Sequence, residues 1–181
     1  MFKNSTVPVV LVIGFAANCL AEEKPESKPI ELAVLQGSLG VWDAEIEVWP
    51  QGPDAPAIKF KGVETNRPYG EYWIASDLDS EIMGQTMKVH SIVGYDLDQK
   101  KLVGTVIDHG PYAARMTGRY DKQSSTVRWT TTAKDPQGKP MVQQTSVTQK
   151  NADHRVLLLS VPGQQKNTFT KFMRIQFVRR K

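Results

Sequence analysis

From Gly40 to the last residues the chain alternates apolar and polar side chains with a period of two, and almost nothing in it repeats every 3.6 residues. An extended strand with one buried and one wet face produces that pattern, so the body of this chain must be β. Val41 to Trp49 sets the phase: Trp42, Ala44, Ile46 and Val48 share one face, and Asp43, Glu45 and Glu47 share the other. Further strands are predicted at Ile58–Thr65, Tyr72–Leu78, Thr86–Tyr95, Leu102–His109, Tyr112–Tyr120, Thr126–Thr132, Met141–Gln149, Arg155–Val161 and Phe169–Val178. Turn residues punctuate them, as in Arg67-Pro68-Tyr69-Gly70, Asp96-Leu97-Asp98-Gln99-Lys100 and Gly110-Pro111. Pro50 to Pro56 makes a long first loop, because its three prolines remove donors from any ladder.

About ten sequential strands with no crossover helices predict an all-β fold, a single up-and-down antiparallel β-barrel. Closure removes the exposed edges that would otherwise pair with other chains. A barrel of that size can enclose a cavity, whereas a sandwich of the same strands fills its middle. Leu32 and Leu35 within Ile30 to Leu35 suit one short helical turn lidding a barrel end.

The chain's 181 residues, 40% hydrophobic and 23% charged, are ordinary globular material for one domain. Its 23 basic and 19 acidic residues are scattered, apart from Arg179-Arg180-Lys181, which describes a solvated surface and predicts no nucleic-acid partner.

The first residues are different in kind. Lys3 supplies a positive charge, Val7 to Ala17 is apolar apart from Gly14 and Pro8, and Cys19-Leu20-Ala21 ends in small residues at the positions a signal peptidase reads. Residues 1–21 are therefore expected to be a secretory signal peptide, which places the protein in the periplasm or outside the cell. The apolar run is shorter than the about 20 residues of a membrane span, so the mature chain is expected to carry none. Cys19 also permits a lipoprotein reading, but Asn18 precedes it where a small residue is wanted. Cleavage after Ala21 removes the chain's single cysteine, and the mature protein must then be held by its core without disulfides. Residues 22–31, charged and proline-punctuated, read as a disordered tether, and 32–181 as the barrel domain.

Four motifs in order carry a likeness. Leu35-x-Gly37-x-x-Gly40-x-Trp42, Gly94-Tyr95-Asp96, Val103-Gly104-Thr105-x-x-Asp108 and Gly118-x-Tyr120-Asp121 resemble the bacterial secreted proteins grouped as DUF1579. The resemblance implies a calycin-like barrel, the architecture of lipocalins and fatty-acid-binding proteins, and no assigned activity. This chain departs from the family at Val106, where a tryptophan is common.

Several residues are candidates for an interior ligand site: Trp42, Trp73, Asp108, His109, Arg115, Met116 and Trp129. Trp42 reads either as the floor of a cavity or as a plug against the closing strand. Asp108 shares the alternation phase of Leu102, Gly104 and Val106, so it is expected to point where apolar residues point. A carboxylate there needs a donor, which Arg115 or Arg119 can supply across the Gly110-Pro111 hairpin, either orienting a ligand head group or pinning the hairpin. The methionines Met83, Met87, Met116, Met141 and Met173 suit a flexible apolar lining.

His90, His109 and His154 show no metal-ligand spacing, and no metal site is predicted. No cofactor is predicted either. Haem is carried only as an alternative, because nitrobindin-type haem barrels open on a similar Leu-Gly-x-Trp run. No nucleophile elbow, phosphate loop or zinc-protease run is present, so no catalytic residue is predicted. The leading expectation is an exported barrel that binds a small apolar molecule without transforming it. Its rivals are an enzyme with an Asp108–His109 site at the barrel mouth and a structural barrel whose interior is filled.

Overall fold

The structure, a computed structural model, describes residues 28–181 apart from Met83, Pro136 and Lys166. The expected signal peptide and most of the expected tether lie outside the described residues. One helix, α1 (Ile30–Gln36), precedes ten strands: β1 (Gly40–Val48), β2 (Ile58–Tyr69), β3 (Trp73–Ile82), β4 (Gln85–Asp96) and β5 (Lys101–Ile107), followed by β6 (Ala114–Asp121), β7 (Thr126–Lys134), β8 (Pro140–Asn151), β9 (His154–Pro162) and β10 (Phe169–Arg179). Every strand pairs antiparallel with its neighbours in sequence, and β10 returns to β1 to close the barrel. The all-β, ten-strand up-and-down barrel expected from the alternation is the fold observed.

Closure is specified by one register, Trp42 opposite Arg179 through Val48 opposite Met173. It works because β1 and β10 bring matching faces. Ala44 meets Phe177 and Ile46 meets Ile175, all four nearly fully buried, while Glu47 and Arg174 meet outside as an ion pair. A slip of one residue would turn the four apolar side chains to water.

Three boundaries differ from the expected ones. Arg67 to Tyr69 continue β2 instead of turning, and the turn falls at residues 70–72. Pro68 is tolerated because it is exposed near the strand end. β5 ends at Ile107 and β6 begins at Ala114, so residues 108–113 form a loop in place of a tight Gly110-Pro111 hairpin. The helix begins at Ile30, two residues before the expected domain boundary.

Two apolar clusters fill the closed end and lower half. Trp42, Ala44, Ile46, Leu78, Ile175 and Phe177 form one. Leu35, Ile74, Leu102, Val127 and Trp129 form the other, with Leu35 of α1 inserted among strand residues. The helix thus seals the end from which β1 starts. Trp129 fits because the residue opposite it is Gly118, where a Cβ would stand 2.5 Å from the indole ring. Leu32 is 1% exposed, so truncating it to alanine opens a cavity under the lid and is expected to cost about 2–5 kcal/mol in chemical denaturation.

Candidate functional site

The lead-in Gly37-Ser38-Leu39-Gly40 places Trp42. Gly40 carries φ +107, a conformation that only glycine adopts easily, whereas Gly37 is ordinarily helical at φ −61. Trp42 has no exposed surface, and its indole N–H donates to the Ser38 carbonyl at 2.8 Å. Two guanidinium groups lie on this ring, Arg155 at 4.5 Å and Arg179 at 4.1 Å from its centroid. Arg155 also lies 4.4 Å from the Phe177 ring. Its partner is Glu64, whose side chain is 13% exposed, and the Asn66 amide donates to the same carboxylate at 2.9 Å. Burial, with Arg179's charge adding, lowers the Arg155 pKa to about 9 and leaves the group charged at neutral pH. Arg179 donates to the carbonyls of Gly37 and Leu39, tying the last strand to the turn before the first.

Every member of this cluster is therefore already engaged, with the exception of Arg155 Nε, which is buried without a partner. It closes one barrel end with charge satisfied inside the protein, and is the floor of the interior. Glu64→Gln leaves a buried cation without its carboxylate and is expected to cost about 3–5 kcal/mol in urea unfolding, whereas Glu64→Leu with Arg155→Met is expected to be near neutral or stabilising.

Above this floor, register decides which side chains face the lumen. Ile74 and Leu78 are buried inside, so Ser76 and Ser80 face inward and Trp73 does not. Trp73 lies on the outer wall, across Gly94, whose absent Cβ leaves room for the ring. Met116 packs inside against the cluster that contains Trp129. Of the candidate residues, then, Met116 and Trp129 line one interior region, Trp42 its floor, and Trp73 the outside.

Asp108, His109 and Arg115 do not form the expected group. Asp108 lies beyond the end of β5, where it is exposed and its carboxylate accepts the Gly110 N–H at 2.7 Å in a local turn. His109 Nε2 accepts the Lys88 backbone N–H at 2.9 Å. Arg115 is exposed, and it neighbours the inward Met116, so it points out. Among the described residues no ion pair joins Asp108 to Arg115 or Arg119.

The histidine–carboxylate pair that does exist is His90 with Asp77, at 2.6 Å on the outer wall, with Arg67 on the same carboxylate. The hydrogen bond from His90, then its charge and that of Arg67, holds Asp77 below the usual carboxylate range. His90, His109 and His154 all lie outside the lumen, so no imidazole is placed to ligate a haem iron there. Among the described residues no group of three His, Cys, Asp or Glu side chains is placed to hold a metal ion.

Several inward side chains are not fully covered. Phe60, Val89, Val93, Met116, Leu157 and Met173 all pack on the two clusters yet are only half-buried. An inward side chain of a closed barrel meets solvent only where the barrel holds space. Outside, a shallow groove of about 470 Å³ runs along the rim between Val142 and Phe169, but it is open and encloses nothing. Sequence reasoning missed Glu64, Asn66 and Arg155, although Glu64 and Asn66 share their strand's apolar phase.

No curated protein matches the chain. A solved structure titled as the crystal structure of Rv2717c from M. tuberculosis is similar in fold, with a TM-score of 0.63 at 10% identity over 83% of this chain and 97% of that one. A redesigned β-barrel matches at a TM-score of 0.45 and 11% identity, over 82% of this chain and 96% of its own. The family model described as a protein of unknown function, DUF1579, matches residues 29–179. Its match spans the helix and all ten strands, and the chain belongs to the DUF1579 family.

Proposed function

We propose that this protein is an exported, calycin-type barrel that holds a small, largely apolar molecule in its interior without chemical transformation. The observation that carries the reading is the half-exposure of inward apolar side chains above a sealed floor. A barrel serving only as a scaffold gains about 25 cal/mol for each Å² of such surface that it buries. Leaving that surface open costs stability, and a ligand that covers it recovers the loss on binding. The polar residues expected at the mouth stay apart, which removes the support for an acid–base site there. Export rests on the charge of Lys3, the apolar run Val7 to Ala17 and the small residues Cys19 and Ala21.

The test is saturable binding of Nile red, a neutral apolar dye, to the full mature chain. One dye per barrel is expected, and Leu159→Trp, which fills the lumen from β9, is expected to weaken binding at least about tenfold while far-ultraviolet dichroism stays unchanged. Dye binding that is indifferent to this substitution would place the site elsewhere. Independently, N-terminal sequencing of the protein purified from its own host is expected to begin at Glu22, and a start at Met1 would remove the export reading.

A further inference from the structure

Six of the inward-facing polar side chains lie in two groups among the apolar lining. Ser76 and Ser91 face one another across β3 and β4, with Ser80 four residues along β3. On the other wall Thr131 pairs with Gln143 across β7 and β8, and Thr145 pairs with the interior Trp129. β3 and β8 are five positions apart in the ring of ten strands, so the two groups occupy opposite walls.

All six are neutral, and among the described residues none of these side chains hydrogen-bonds to the protein. Ser80 Oγ is fully buried without a partner although the residue is 8% exposed, and Thr131 is 5% exposed. A buried hydroxyl left unsatisfied costs about 1–3 kcal/mol, which applies to Ser80, while the other five are neutral groups without a protein partner that a ligand displacing water would have to satisfy. Gly62 keeps the Ser80 wall thin: it lies opposite Ser80, and a Cβ there would stand 2.9 Å from the serine Cβ.

The floor cations Arg155 and Arg179 are held by the protein and are not presented to a ligand head group. The Arg155 guanidinium lies against the Trp42 and Phe177 rings, one of its two terminal nitrogens is taken by Glu64, and its unpartnered Nε is itself fully buried. A ligand carboxylate in the lumen would lose its hydration and find only neutral groups in return.

We infer that the lumen selects an uncharged amphiphile, an apolar body carrying at least two hydroxyl, ester or amide groups, which bond to the β3–β4 and β7–β8 walls. This rests on the binding function proposed above and names the class of molecule that fulfils it. Plain hydrocarbons are disfavoured because they leave the six groups unmet, and carboxylates because they arrive charged.

The experiment is displacement of Nile red from the full mature chain at pH 7.4 by monodecanoylglycerol, methyl decanoate and decanoate, which share one acyl chain. Monodecanoylglycerol is expected to displace the dye at a concentration at least about tenfold lower than decanoate, with methyl decanoate between them. The double variant Thr131→Val with Thr145→Val is expected to lose most of the preference. Its dye affinity should be intact and its free-state stability unchanged or raised, because the hydroxyls removed had no partner. Decanoate displacing as well as the glyceride, or an undiminished preference in the double variant, would overturn the inference and leave interior binding standing. Failure of the dye and all three competitors to bind would overturn both.

Discussion

The stacking of two guanidinium groups on the Trp42 ring is the interaction on which the rest of the barrel depends. Arg179 comes from the end of the last strand and Arg155 from the start of the ninth, while Trp42 stands at the start of the first. The cluster therefore joins the two ends of the sheet at the point where closure has to be specified. Burying a tryptophan removes about 200 Å² from water, worth about 5 kcal/mol as an upper estimate. Glu64 keeps the accompanying Arg155 charge from undoing that gain, and the Arg179 bonds to Gly37 and Leu39 hold α1 over the same end.

A floor built this way decides the character of the interior above it. Its Glu64 and Arg155 charges pair with one another, and the inward side chains beyond it are half-buried apolar residues and two groups of neutral polar ones. Solubility is handled outside, where Asp43 pairs with Arg180, Glu47 with Lys59 and Arg174, and Asp79 with Lys88. Such exposed pairs contribute little to stability individually. Their role is to keep the outer wall wet while the inner wall stays available.

The fold was legible because alternation survives in most of the strands, and β1 shows it without a break. The floor was legible in part: Trp42 stood out, but its partners did not. Glu64 sits at apolar phase on β2, and that misplacement was the available signal, whereas β9 carries Val156 and Leu158 on one face and Leu157 and Leu159 on the other, so its pattern gave none for Arg155. Asp108 departs from its apparent phase for a physical reason. Phase carries a side-chain direction only while the ladder continues, and β5 ends at Ile107, so Asp108 turns back on Gly110 instead of inward. The case of Trp73 is different, since both faces of β3 carry aromatic or apolar residues and only the pairing with Gly94 reveals which is outside. The serines and threonines of the two walls were invisible because a polar residue in a strand ordinarily reads as outer surface.

The account stands on the barrel's interior being open and on ligands entering it. A methyl NMR titration of the full mature chain with monodecanoylglycerol tests that directly. Saturable shifts are expected at Val89, Val93, Met116 and Leu157, which face the lumen, with Val142 and Val178 unmoved on the outer wall. Shifts confined to Val142 and Val178, or none at any inward methyl, would contradict it.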